Sequence, residues 1–135
     1  MLRAVIDTNV LFEGLSTKGD CGDIIDAWAA RSFTPCVSTA LAYEYEDVLG
    51  RKFAPTRRSQ VLAALKALLG RVEWVPIYTR VRPLSPDPDD DFVIECAYNS
   101  RAVIVTSNLK DLQVAESHLG IPVKTPAQFH NLLKD

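Results

Sequence analysis

The amino-acid sequence predicts an α/β fold, a three-layer α/β/α sandwich with a mostly parallel central sheet. Three observations carry that expectation. Short apolar, β-branched runs alternate with stretches of helical periodicity along the whole chain. One run, Ala102-Val103-Ile104-Val105-Thr106, is almost continuously apolar, as a strand covered on both faces of a parallel sheet must be. A carboxylate, Asp7, directly follows the first apolar run, and ligands of open α/β sheets bind beyond the carboxyl ends of the strands.

Taken in order, Arg3 to Ile6 reads as a strand that delivers Asp7 at its tip, and helical periodicity takes over at Asn9-Val10-Leu11-Phe12. A glycine-containing loop, Ser16 to Gly22, precedes Ile24, Ile25, Trp28 and Ala29 at helical spacing. Thr34 to Ser38 is a second strand, and Ser38 or Thr39 can cap a helix from Ala40 to about Gly50. A polar link, Arg51 to Thr56, leads to an amphipathic helix carrying Val61, Leu62, Leu65, Leu68 and Leu69, which Gly70 can end.

Glu73 to Ile77 is a third strand, placed at an edge because Pro76 has no N–H for a ladder. Arg82 to Pro88 is a proline-rich loop, and Asp89 to Asn99 reads as helix before the apolar strand at Ala102 to Thr106. Ile121 to Lys124 is a last strand. Thr125, Pro126 and Gln128 then supply an N-cap, an N1 proline and a capping-box glutamine for a final helix.

With 135 residues, 47% of them hydrophobic, the chain can bury a core without staples, and a single domain over 1–135 is expected. The three cysteines, Cys21, Cys36 and Cys96, are odd in number, widely spaced and outside any zinc-ligand pattern, so they read as reduced, buried thiols. No stretch has the length of a membrane span or the layout of a signal peptide, and a cytoplasmic protein is expected. The net charge of −2 lacks the basic footprint of a dedicated nucleic-acid binder, so any nucleic acid must be held by a local patch or through metal.

Three acidic positions stand where this architecture places function. Asp7 is either a site residue at the sheet edge or an N-cap for the next helix. Glu44 shares the inward stripe of Leu41, Tyr45 and Val48, while Glu46 and Asp47 point elsewhere, and a carboxylate on a core-facing stripe needs a cation or a basic partner. The run Asp87-Pro88-Asp89-Asp90-Asp91 sits at a helix start, where acids commonly complement the dipole. Asp90 has Val93, Ile94 and Ala97 on its face and Asp89 has Phe92, Val93 and Cys96, so periodicity alone does not choose between them.

Converging carboxylates need a cation, because two charges about 4 Å apart repel by roughly 4 kcal/mol at an effective dielectric near 20. Oxygen-only ligation suits Mg²⁺ or Mn²⁺, and such ions recruit phosphate oxygens. Nucleophile schemes without metal find little footing: GxSxG and GxxxxGK[ST] are missing, and the two histidines, His118 and His130, both lie late in the chain.

The segments Val5-Ile6-Asp7-Thr8-Asn9-Val10, Ser38 through Glu44-Tyr45 to Val48-Leu49, Asp87 to Asp91 and Val105-Thr106-Ser107-Asn108-Leu109-Lys110-Asp111 together resemble the PIN-domain family. More narrowly they are similar to the branch of toxin components of toxin–antitoxin systems, down to the closing Thr125-Pro126-Ala127-Gln128-Phe129. The resemblance implies a PIN fold and Mg²⁺- or Mn²⁺-dependent RNA cleavage, with Asp7, Glu44 and Asp90 as the catalytic and metal-binding acids. It also implies Thr106 as a hydroxyl near the metal. Where many members carry a fourth acid this sequence has Asn108, with Asp111 nearby as a partial substitute. An RNA substrate, a separate antitoxin protein and a homodimer follow from the same likeness. Arg51, Lys52, Arg57 and Arg58 are candidates for holding the RNA backbone.

Two other readings compete. A signalling receiver domain needs its acceptor aspartate after a middle strand, whereas the second strand here ends in Ser38. A PIN-like module that binds RNA or protein without cleaving is compatible with Asn108 in place of the fourth acid, and a processing nuclease outside any toxin system shares every motif above.

Overall fold

The strands form where consecutive β-branched or apolar side chains can be buried on alternate faces. In the computed structural model, which describes residues 1–81 and 90–134 with the backbone alone at Asp90, the first strand is β1 (Arg3–Ile6). Its consecutive residues Ala4, Val5 and Ile6 are all buried, so the sheet is covered on both sides. Helices α1 (Thr8–Ser16) and α2 (Asp20–Ala29) follow, then β2 (Thr34–Val37), α3 (Thr39–Lys52), α4 (Pro55–Leu69) and β3 (Glu73–Trp74). The second part of the chain adds α5 (Asp90–Ser100), β4 (Val103–Val105), α6 (Gln113–Leu119), β5 (Val123–Lys124) and α7 (Pro126–Lys134).

All strand pairs are parallel and the order is β3-β2-β1-β4-β5. The chain builds outward from β1 in one direction, then returns to build outward in the other. That reversal is a topological switch point between β1 and β4, where the loops leaving the two strands diverge and open a crevice at their carboxyl ends. Ile6 is in register with Val105, so Asp7 and Thr106 are the next residues along each strand.

Helix α5 packs across β1, β2 and β4 and against α3. Helices α1, α2 and α7 pack together in sequence, with Phe129 of α7 edge-on to Phe33 at 5.1 Å. Trp28, Tyr45, Phe33 and Phe129 are the largest fully buried side chains, each worth about 1.5–3 kcal/mol or more in removed apolar surface. The Trp28 indole N–H donates to the Leu68 carbonyl at 2.9 Å, which joins α2 to the end of α4 without leaving a buried donor unmet. All three cysteines are free and buried.

The expected α/β sandwich is the observed one, with differences at element ends. Ser38 leaves the second strand because its hydroxyl caps α3, accepting from the Leu41 N–H at 3.1 Å. The third strand stops at Trp74 rather than Ile77 and lies at the edge, as Pro76 requires. The segment read as a polar link is mostly helical: Arg51 and Lys52 complete α3, and Pro55 starts α4 as its N1 residue. Helix α6 has no counterpart in the sequence reading. The final helix begins as expected, with Thr125 accepting from the Gln128 N–H at 3.1 Å and Gln128 accepting from the Thr125 N–H at 2.9 Å. The proline-rich loop read at Arg82 to Pro88, and Asp87 and Asp89 of the acidic run, lie outside the described residues. Among the described residues no helix is long and apolar enough to cross a membrane.

Candidate active site

Asp7 occupies the N-cap position of α1 with extended backbone angles, yet its side chain makes no capping hydrogen bond. Instead its Oδ2 accepts from the Thr106 hydroxyl at 2.7 Å, while its own N–H donates to the Val105 carbonyl at 2.9 Å. Asp7 is 2% exposed and Thr106 is fully buried. The capping role left open by the sequence is therefore not the one this carboxylate plays. It is turned across the switch point, onto the neighbouring strand.

Thr106 is held in turn. Its hydroxyl oxygen accepts from the Asn108 N–H at 2.9 Å, which orients the hydroxyl proton towards Asp7. The Asn108 side-chain amide donates to Asp111 Oδ2 at 2.7 Å. Asp7, Thr106, Asn108 and Asp111 thus form one continuous hydrogen-bonded chain, although only Asp7 and Thr106 are removed from solvent. Asn108 and Asp111 carry the chain out to the surface.

Glu44 lies on α3 and is half-buried, beside the buried stripe of Leu41, Tyr45 and Val48, while Glu46 and Asp47 are exposed as expected. The phenol of Tyr45 donates to the carbonyl of Ile6, the residue before Asp7, and this bond fixes α3 against the carboxyl end of β1. Burial pushes the Tyr45 phenol well above its ordinary pKa, and the negative charges of Cys96, Asp7 and Cys36 would add to that. Tyr45 is therefore a neutral donor and a support, not a base. Asp90 opens α5, and its side chain lies outside the described residues.

The basic candidates sit on the surface at the α3–α4 junction. Arg51 pairs with Asp47 at 2.9 Å, Lys52 stands 5.2 Å from the Phe12 ring centre, and Arg57 stands 5.1 Å from that of Phe53. Arg58 is exposed in the first turn of α4.

Sequence reading missed two acids of α5. Asp91 and Glu95 are 2% and 3% exposed, and Glu95 Oε2 accepts from the Val81 N–H at 3.3 Å. Their i, i+4 spacing puts them on one face, a signal that the crowd of aspartates before them obscures. Nearer the edge, Glu13 on α1, Cys21 on α2 and Ser107 after β4 line an open pocket of about 470 Å³ with Thr125 and Ala127. There the Cys21 thiol donates to Glu13 Oε2 at 3.0 Å, and burial together with that carboxylate pushes its pKa up to about 12. Cys21 is not a nucleophile.

Asp7 and the Thr106 hydroxyl bonded to it offer oxygen atoms, a chemistry that fits a hard divalent ion better than zinc. An open parallel sheet with a buried carboxylate bonded across its switch point places the chain among open α/β proteins, a class whose ligands bind at the carboxyl edge of the strands. Comparison narrows that class: the family model described as PIN domain matches residues 3–110, and the chain belongs to the PIN-domain family.

Among solved structures, VapBC2 from Rickettsia felis bound to a DNA fragment from its promoter matches with a TM-score of 0.65 at 14% identity, over 92% of this chain and 98% of that one. DNA-bound VapBC from Salmonella typhimurium matches at 0.63 and 20% identity, over 93% and 99%. FitAcB from Neisseria gonorrhoeae matches at 0.62 and 15% identity, over 92% and 98%. At these identities the likeness establishes a shared fold. No curated protein matches the chain.

Proposed function

We propose that the chain is a cytoplasmic metal-dependent endoribonuclease that hydrolyses RNA phosphodiester bonds, and that it serves as the toxin of a toxin–antitoxin pair. The observation that carries this reading is the buried Asp7 carboxylate, turned from its capping position onto Thr106 at the switch point. A carboxylate so placed costs free energy unless a cation or donors meet it, and the crevice is where a ligand of this architecture binds.

Asp7, Glu44 and Asp90 would hold Mg²⁺ or Mn²⁺, with Thr106 supporting Asp7. Such an ion, when bound, lowers the pKa of a water and offsets charge that develops on a phosphate. The chain's own residues set the stage for that chemistry. Thr106 fixes one oxygen of Asp7, so the carboxylate is presented in a single orientation without a search over rotamers. Asn108, in place of a fourth acid, contributes an amide already committed to Asp111 and so no charge of its own, which favours a single tightly held ion over two. Tyr45 keeps α3, and with it Glu44, at a set distance from β1. Arg51, Lys52, Arg57 and Arg58 would meet the RNA backbone as exposed cations, loosely engaged by Asp47, Phe12 and Phe53.

The toxin role draws on the fold shared with VapBC2 and VapBC, both solved bound to DNA, and with FitAcB. By the same likeness this chain would pair with its own antitoxin protein and form a homodimer.

The test is cleavage of an end-labelled single-stranded RNA pool with Mg²⁺ or Mn²⁺, against EDTA and an Asp7→Asn protein purified identically. Cleavage that falls to the EDTA background in Asp7→Asn supports the reading. Activity retained by Asp7→Asn overturns the site, and metal binding without any cleavage moves the protein to a non-catalytic RNA- or protein-binding module.

A further inference from the structure

Away from the Asp7 crevice, two helices bring three ligand-type side chains to one point. Asp20 is the first residue of α2 and Asp23 follows at i+3, so both face the same way. His130 comes from α7, which packs against α2. Its Nδ1 lies 3.2 Å from Asp20 Oδ1 and 3.6 Å from Asp23 Oδ2, and one donor atom from each of the three lies within 4.8 Å of the others. From this convergence we propose that Asp20, Asp23 and His130 form a second cation site, one that takes a borderline divalent transition ion such as Zn²⁺.

Two aspartates in the first turn of a helix have an ordinary explanation in the helix dipole, and a histidine beside them has one in an ion pair. The same convergence is also what a shared cation requires. A charge-assisted N–H···O bond closes to about 2.7–2.9 Å, and one N–H can point at one carboxylate only. Here a single ring nitrogen faces two carboxylates, within hydrogen-bond distance of Asp20 Oδ1 at 3.2 Å and 3.6 Å from Asp23 Oδ2, so one N–H serves at most one of them. Zinc bonds of about 2.0–2.2 Å in a tetrahedron put neighbouring donors about 3.4 Å apart, the middle of the two observed values.

The donor set also fits. One imidazole nitrogen and two carboxylate oxygens match Zn²⁺ and its neighbours in the transition series better than Mg²⁺, which prefers oxygen and retains its waters. The His130 side chain is 24% exposed and the two aspartates about half, so an ion can enter and water can complete its coordination. The ligands come from α2 and α7, with His130 more than a hundred residues from either aspartate in sequence, so a bound ion would staple the last helix to the second.

The experiment is calorimetric titration with Zn²⁺ in the Asp7→Asn protein, which removes the proposed catalytic acid, followed by thermal melts with Zn²⁺ and with EDTA. One equivalent of Zn²⁺ should bind, and Tm should rise with Zn²⁺ concentration. His130→Asn and Asp23→Asn, each added to Asp7→Asn, should weaken binding at least tenfold and abolish the Tm rise, while melting in EDTA within a few degrees of their parent. An unchanged titration in both variants, or no Zn²⁺ binding by the Asp7→Asn protein, overturns the site. Because none of these readouts involves RNA cleavage, failure here leaves the nuclease reading standing, and failure of that reading leaves this one standing.

Discussion

At the scale of single residues, Thr106 is where the proposed chemistry is most exposed to test. Its hydroxyl gives its proton to Asp7 and takes one from the Asn108 N–H, so both of its roles depend on one oxygen in a fully buried position. Thr106→Val keeps the shape and removes that oxygen; Thr106→Ser keeps the oxygen and removes a methyl. Groups that orient a metal-binding carboxylate typically contribute about 10–100-fold in metal affinity or activity. Thr106→Val should therefore raise the Mn²⁺ concentration needed for half-maximal cleavage by about that factor, and Thr106→Ser should recover most of the loss. Equal behaviour of Val and Ser would reduce Thr106 to a packing residue.

What was legible at this scale follows from how local each signal is. Asp7 follows the first strand, and the strand pattern marks the sheet edge, so it could be named from the residues alone; Thr106, Asn108 and Asp111 were named through the resemblance to the PIN-domain family. Glu44 was legible because its stripe is periodic. Asp91 and Glu95 were not singled out, since their burial depends on where α5 lands against the sheet rather than on their neighbours. The meeting of His130 with Asp20 and Asp23 was equally hidden, because it is made by a contact between helices at opposite ends of the chain.

At the scale of elements, the clearest constraint is the close approach of α1 and α2. A Cβ built on Gly14 would stand 2.5 Å from Ile25 Cγ1 and 2.6 Å from the Cys21 carbonyl oxygen. The carbonyl belongs to a helical backbone and cannot step aside without moving α2. Gly14→Ala should cost about 1–3 kcal/mol through overpacking, despite the gain of up to about 1 kcal/mol that alanine brings to a helix interior. Gly50, in α3, has nothing within 4 Å of its built Cβ, so Gly50→Ala keeps that gain. Denaturant melts should move in opposite directions for the two alanines, and a stabilised Gly14→Ala would mean that α1 and α2 are not packed this closely. Element ends were the part of the fold read least well. Helix α6 buries only Ala115 fully, too little apolar periodicity to announce a helix, and the third strand was read too long because Val75 and Ile77 continue its pattern beyond the proline that ends the ladder.

At the scale of the whole molecule, the buried protons of Cys36, Cys96 and Tyr45 lie close together, and with that of Cys21 they set an alkaline limit on stability. Cys96 is fully buried, and burial together with the neighbouring Cys36 pushes its pKa up to about 12. Cys36 is raised chiefly by burial, Cys21 is pushed to about 12, and Tyr45 is raised well above its ordinary value, again chiefly by burial. In the unfolded chain thiols lose their protons near pH 8.5 and phenols near 10. Between those values and the higher folded ones, the unfolded state holds fewer protons than the native state, so stability falls as pH rises, by about 1.4 kcal/mol per pH unit for each group fully in that window. The contribution of these groups is whole below about pH 8 and is lost progressively towards pH 12. Urea midpoints measured under reducing conditions should hold steady from pH 7 to 8 and fall steeply from pH 9 to 10.5. Cys96→Ala should start from a lower midpoint, because it leaves a cavity beside Cys36, yet lose less per pH unit over the alkaline range. A slope the same as that of the parent protein would show that the Cys96 thiol is not held protonated by the fold, and would shift the alkaline limit to Cys21, Cys36 and Tyr45.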